Sequence, residues 1–365
     1  MRIVILGTEL CAVDRHGGGL EQVLRRWADA LASRHEVVVV SHGRPQPDAA
    51  DRFTTLAVGA PGGLTEVLGG LVPDVISLHN RPGWVAHCPP GAAVAVTFHN
   101  FASAWMVDDD DLAGVRRASA PAGLSAVSRA LASAAAARLG RPAGTVTVTP
   151  PSIAPEFLAP GAWCPEPTVL SPNRLLAKKG VHELLEVADR PEFADVTFAF
   201  ADLISPWLEP TAEHLGLRAA VVAHPNGVLF RPTSDPTELA RRYRSSAVVV
   251  CPVAEPEGLG LVALEAQACG VPLVTTDLGG LAEATFPPNR CVPPGDGEAL
   301  AVAVGAALDE ALDWPRRRAG VGGAGPAPAR PTRSGPRNAV ASVYAPGPSG
   351  AVFEEWLLTV AARGR

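Results

Sequence analysis

Lysine is almost missing from this sequence: of its 31 basic residues only Lys178 and Lys179 are lysines, and they are adjacent. Aromatic residues make up only 5% of the chain, two of them tyrosine. Positive charge is not in excess, since 37 acidic residues leave a formal net charge of −6. A nucleic-acid binder carries a basic excess or a basic stripe, so that class is disfavoured. Apolar runs such as Ala247–Pro252 stop far short of the roughly 18–20 residues that a membrane span needs. Met1–Gly7 lacks the length and cleavage pattern of a signal peptide and reads as a first strand. The six cysteines (Cys11, Cys88, Cys164, Cys251, Cys269, Cys291) show no CxxC pair and no metal-ligand spacing. They are expected to be buried, reduced thiols of a cytoplasmic protein. The glycine run after the first strand does not match the dinucleotide fingerprint GxGxxG, which disfavours a Rossmann dehydrogenase.

What is present is ample apolar sequence. The chain has 365 residues, 47% of them hydrophobic, enough for two domains with sizeable cores. Apolar, β-branched runs alternate with helical patterns. Strands are expected at Arg2–Gly7, Glu36–Ser41, Asp74–His79, Ala93–His99, Leu124–Ser128 and Thr145–Thr149, with helices at Leu20–Ser33 and Leu131–Leu139. Pro150–Pro167, with six prolines, reads as an interdomain connection, and the alternation then restarts, with strands at Thr168–Ser171, Val196–Ala201, Ala219–Ala223, Ala247–Pro252 and Pro272–Thr276. Helices are expected at Val181–Asp189, Pro236–Ser245, Gly260–Ala268 and Gly297–Leu312. Continuous apolar strands joined by helices imply parallel sheets covered on both faces. The fold class is therefore α/β, with two doubly wound Rossmann-like domains facing across a cleft. The boundaries expected are 1–155 for the first domain, 156–166 for a linker and 167–314 for the second domain. Residues 315–350 are expected to be irregular, because seven prolines and seven glycines crowd that stretch. A flexible linker and a local reading-frame shift in a GC-rich gene both fit it, and the abrupt return of order favours the second. A terminal helix within 351–365 restores an apolar face with Phe353, Trp356, Leu357 and Val360.

Doubly wound sheets bind ligands outside the carboxyl ends of their strands, so reactive residues at those ends are the candidates. His16-Gly17-Gly18-Gly19 follows the first strand; Gly18 and Gly19 there let backbone and a helix start approach an anion. His79 and His99 each end an apolar run, and polar Asn100 after His99 favours His99. In LSPNRLLAKKG, Arg174 and Lys179 converge between a strand and a helix, a pairing that suits a diphosphate. The sharpest run is EGLGLVALEAQACG. Glu257 and Glu265 have seven residues between them there, and Gly258, Leu259, Gly260 and Leu261 bring backbone close to a ligand at the positive end of a helix. Carboxylates suit hydroxyl-rich ligands because each oxygen accepts from neighbouring OH groups. Asp108–Asp111 looks like a metal site, but aspartates opening a helix are explained by capping and the helix dipole, so no metal is assigned.

At these residues the chain resembles glycosyltransferase family 4, the retaining transferases of the two-Rossmann-domain GT-B fold (glycosyl transferases group 1). The resemblance runs from Met1 to about Leu312 and resumes in the terminal helix, which resembles one crossing back to the N-terminal domain. Its most specific part is the Glu257/Glu265 run with the ACGVPLVTTDLGG that follows. The resemblance implies that Arg174 and Lys179 hold a donor diphosphate, Glu265 the ribose hydroxyls and Glu257 the transferred sugar. Backbone from Gly258 to Leu261 would lie nearby, Gly18 and Gly19 would approach the diphosphate or the acceptor, and His99 would line the reaction centre. The glycine usual before the arginine is Asn173 here, and the usual Asn-Gly pair is Pro151-Ser152. The implied activity is transfer of a hexose from a UDP- or GDP-linked sugar to an acceptor hydroxyl in a bacterial cytoplasm. It would need neither metal nor a cofactor beyond the donor. An epimerase of the same fold and an inactive nucleotide-sugar-binding protein are the alternatives.

Overall fold

In the computed structural model, residues 1–7, 18–42, 51–58, 63–101, 123–203, 210–312 and 334–363 are described. The chain divides into two compact units, residues 1–153 with 343–365, and residues 154–342.

The first unit holds β1 (Arg2–Leu6), α1 (Gly19–Leu31), β2 (Glu36–His42), β3 (Thr54–Val58), α2 (Leu64–Leu71), β4 (Val75–His79), β5 (Ala93–Phe98), β6 (Gly123–Ala126), α3 (Arg129–Arg138) and β7 (Thr147–Val148). The sheet runs β3-β2-β1-β4-β5-β6-β7, with every neighbouring pair parallel. β4 and β5 are buried along their whole length, as mainly apolar central strands of a covered sheet should be.

The second unit repeats the plan. It holds β8 (Glu166–Ser171), α4 (Val181–Ala188), β9 (Thr197–Ala201), α5 (Ala212–Ala223), β10 (Gly227–Phe230), α6 (Pro236–Ser245), β11 (Ser246–Cys251), α7 (Leu261–Ala268), β12 (Leu273–Thr276), β13 (Arg290–Val292) and α8 (Gly297–Leu312). Its order, β10-β9-β8-β11-β12-β13, is again parallel throughout. In both sheets the strand order reverses beside the first strand, at β1/β4 and at β8/β11, so each is a doubly wound Rossmann sheet with a switch point.

Two expectations about secondary structure need correction. Ala219–Ala223 is not a strand but the last turns of α5; the strand of that region is β10. The short apolar run AAVVA does not by itself distinguish helix from strand. His214, Leu217 and Val221 are buried at helical spacing, and the Thr211 side chain accepts from His214 N to cap the start. The second correction concerns the stretch expected to be irregular. Residues 313–333 lie outside the described residues, but 334–350 is helical, in α9 (Ser334–Tyr344) and the first turns of α10 (Pro346–Arg363). Pro336, Pro346 and Pro348 fall in first turns, where the missing N–H has no intrahelical partner to lose. β3, α2 and β13, which lack a strong period, went unanticipated.

α10 packs on α1 within the first unit. Phe353 stacks on Trp27 with ring centroids 4.0 Å apart. Trp27 Nε1 donates to Ser349 Oγ (2.9 Å), and that hydroxyl donates to Pro150 O (2.8 Å). Of the described cysteines, Cys251 and Cys269 are buried and Cys88 half-buried, while Cys164 and Cys291 are exposed, contrary to the all-buried expectation.

Candidate active site

In the second unit the site grows from two neighbouring strands. β8 ends at Ser171 and β11 at Cys251, side by side at the switch point. The loops leaving them carry Arg174 and Lys179 on one side and Glu257 to Gly260 on the other. Residues more than 75 positions apart in sequence thus share the carboxyl end of one sheet. The backbone locks the loops together: Ala254 N donates to Lys178 O (3.0 Å). Gly180, at φ 76°, lies so close to the second loop that a Cβ there would sit 1.8 Å from Pro252 O. Only glycine meets both demands.

Side chains complete the connection. Lys179 and Glu257 form a close ion pair, and Lys178 lies 3.6 Å from Glu255. Burial first, and then the neighbouring Arg174 guanidinium, draw the Lys179 ammonium down to about 8. Arg174 is exposed, and its side chain has no hydrogen-bond or ion-pair partner among the described residues. Burial pushes the nearby Cys251 thiol up to about 12, so that thiol stays protonated.

Behind the second loop, Gly280 N donates to Glu257 O (2.7 Å), and Glu257 bridges to Gly279. A Cβ on Gly280 would meet Gly258 O at 2.2 Å, so glycine is required for this close approach. α7 then begins at Leu261. Its N-cap, Gly260, has no side chain to cap the first turn, leaving that end of the helix dipole open to an anion. Glu265 lies one turn further on, half-buried, and its Oε2 accepts from the hydroxyl of Tyr243 on α6 (2.8 Å). Tyr243 was not anticipated. The signal was its rarity, one of two tyrosines, in a helix otherwise polar.

The first unit brings together the other candidates. His79 closes β4 and His99 follows β5, and His79 Nδ1 and His99 Nε2 are 2.9 Å apart. His79 Nε2 lies 3.1 Å from Ser77 Oγ, while Asn80 Oδ1 accepts from His99 N (2.7 Å). Both rings pack against Trp27 of α1, with centroids at 5.9 and 5.7 Å. Burial lowers both imidazoles, His99 to about 3, and the His99 ring lowers His79 further. Both are therefore neutral at pH 7. Gly18 and Gly19 are exposed at the start of α1, with the Glu21 carboxylate folded back beside Gly18. His16, Gly17, Cys11 and Asp108–Asp111 lie outside the described residues. Among the described residues, no three His, Cys, Asp or Glu side chains gather as a metal centre. No described helix is long and apolar enough to cross a membrane.

Two Rossmann sheets of the same order, one with cations and carboxylates at its switch point, define the GT-B class of glycosyltransferase. The comparisons with known proteins agree. The family model for glycosyl transferases group 1 matches residues 162–319, and that for glycosyltransferase family 4 matches residues 17–157. The chain belongs to the group 1 / family 4 glycosyltransferases. Among curated relatives, the D-inositol 3-phosphate glycosyltransferase of Arthrobacter sp. (strain FB24) is 52% identical over 59 residues, 16% of this chain and 14% of the relative. That of Kineococcus radiotolerans is 40% identical over 101 residues, 26% of this chain and 23% of the relative. The alignments thus span less than a quarter of either relative. Among solved structures, sucrose-phosphate synthase of Thermosynechococcus elongatus superposes with a TM-score of 0.75 at 19% identity, covering 99% of each chain. Anabaena HepE, solved in complex with UDP and glucose, gives 0.73 at 16% identity, covering 98% of this chain and 99% of its own.

Proposed function

We propose that the protein transfers a hexose from a nucleotide diphosphate sugar, UDP- or GDP-linked, to an acceptor hydroxyl with retention of configuration. The observation that carries this reading is the convergence of Arg174, Lys179, Glu257 and the open start of α7 on the β8/β11 switch point. Two cations and a helix N-terminus suit a diphosphate, and Glu257, paired to Lys179, suits the hydroxyls of the sugar it carries. Glu265, one turn into the same helix, takes the ribose. In the reaction the bond from the anomeric carbon to the diphosphate oxygen breaks and a bond to the acceptor oxygen forms on the same face. The departing diphosphate takes the acceptor's proton. Arg174, Lys179 and the N–H groups of α7 stabilise the negative charge that grows on the phosphate, so no nucleophile and no metal ion are needed from the protein. His99, neutral and backed by His79, belongs with the acceptor side, where an uncharged ring can exchange hydrogen bonds with hydroxyls.

The test is a thermal-shift panel of UDP, GDP, ADP and TDP, then their sugars, then turnover with hydroxyl acceptors. The acceptor set should include a phosphorylated cyclitol, the acceptor that the names of the two curated relatives suggest. Stabilisation by one nucleoside diphosphate, with sugar consumption only when acceptor is present, is the outcome expected. Donor turnover without an acceptor would replace this reading with an epimerase, and binding without any turnover would leave a nucleotide-sugar-binding protein.

A further inference from the structure

The Tyr243 hydroxyl has no part in the diphosphate or sugar contacts, yet it reaches the site. Its ring is fully buried, set edge-on against Phe157 at 5.9 Å, on a helix from which Arg244 and Ser245 donate to backbone carbonyls. The single polar atom of this ring donates to Glu265 Oε2 at 2.8 Å. A buried phenol costs free energy unless it finds a partner, and a carboxylate is the strongest acceptor available to it. Burial and the Glu265 charge keep the phenol protonated far above neutral pH. It therefore keeps the proton that it donates to Glu265.

We propose that Tyr243 is a positioning residue for ribose recognition. Its hydroxyl fixes one oxygen of Glu265, and so the plane of the carboxylate, in the orientation that accepts from the 2′- and 3′-hydroxyls of the nucleotide. A glutamate has three side-chain torsions to order before it can accept from a vicinal diol. A rigid, buried donor does that ordering before the ligand arrives, as support behind a binding group generally does. The hydroxyl's contact is with Glu265 and not with the ligand. This inference rests on the assignment of ribose to Glu265.

The experiment measures binding of UDP and GDP against their 2′-deoxy counterparts to wild type, Tyr243→Phe and Glu265→Gln, with thermal midpoints recorded for each. Wild type should prefer the ribonucleotide. Tyr243→Phe should weaken ribonucleotide binding about three- to tenfold, the part of a charge-assisted hydrogen bond that misorientation forfeits. It should leave deoxynucleotide binding nearly unchanged, so that discrimination shrinks. A purely structural tyrosine would weaken both nucleotides equally or neither, and either result overturns the proposal. Should Tyr243→Phe fail to fold, Glu265→Asp serves instead. It keeps the charge but withdraws the carboxylate from the hydroxyl, and unchanged discrimination in that variant would equally count against the idea. Glu265→Gln separates the two failures. If it abolishes discrimination while Tyr243→Phe preserves it, the ribose assignment stands and the positioning role falls. If Glu265→Gln preserves it, or wild type shows none, the ribose assignment itself falls.

Discussion

Lys179 gives the prediction that the structure makes most quantitative. Its ammonium is drawn to about 8 by burial and by Arg174 while it holds Glu257. A bound diphosphate adds negative charge beside it and raises that value, so nucleotide binds the protonated lysine preferentially. The sign follows: affinity is full below pH 8 and is lost as pH rises through 8. A group with a pKa of about 8 is about 90% protonated at pH 7 and about 10% at pH 9, so the dissociation constant should rise about tenfold, or about 1.4 kcal/mol, over that interval. The terminal phosphate titrates near pH 6 and lies outside this window. The buried Cys251 thiol, at about 12, lies outside it as well. Calorimetric titration with the preferred nucleoside diphosphate at pH 7, 8 and 9 supplies the measurement. Lys179→Arg, which stays charged throughout, should flatten the profile. Lys179→Ala should lose about 1.5–3 kcal/mol at pH 7, the range for a hydrogen bond to a charged group. A wild-type profile flat from pH 7 to 9, together with unimpaired binding by Lys179→Ala, would refute the reasoning.

Three further outcomes are expected. Glu257→Gln should lower turnover by tenfold or more, at about 1.4 kcal/mol per tenfold, while nucleoside diphosphate affinity stays close to wild type; a matching loss of nucleotide affinity would place this carboxylate on the wrong part of the donor. Gly180→Ala should destabilise the protein by about 2–4 kcal/mol in chemical denaturation, because a Cβ meets Pro252 O and the backbone is left-handed there; a cost under about 0.5 kcal/mol, the usual surface-substitution range, would show that the two loops are not locked as described. Transfer should persist in excess EDTA and in a variant with Asp109 and Asp111 changed to asparagine, and activity lost to EDTA but restored by manganese would reassign the charge-neutralising role to a metal.

Much of the molecule was legible in the sequence because its signals are local. Mainly apolar strands such as VISLH and AVAVTF imply parallel sheets buried on both faces, and a lone lysine pair beside an arginine implies an anion. Short or ambiguous segments were misread where local signals ran out. AAVVA satisfies helix and strand alike, and only the burial of His214, Leu217 and Val221 decides for the helix. The proline-rich tail looks structureless in composition, whereas the helices begin so that their prolines fall where no N–H is needed. The tertiary structure alone decided the rest, because it concerns pairs far apart in the chain. The adjacency of β8 and β11 sets Lys179 on Glu257 and buries it there, and that burial, with Arg174 beside it, draws the ammonium down. The neighbouring ends of β4 and β5 join His79 to His99, and the packing of α6 directs the Tyr243 hydroxyl to Glu265. Residue types and spacing determine which groups are available; strand order and burial determine which of them meet and in what charge state.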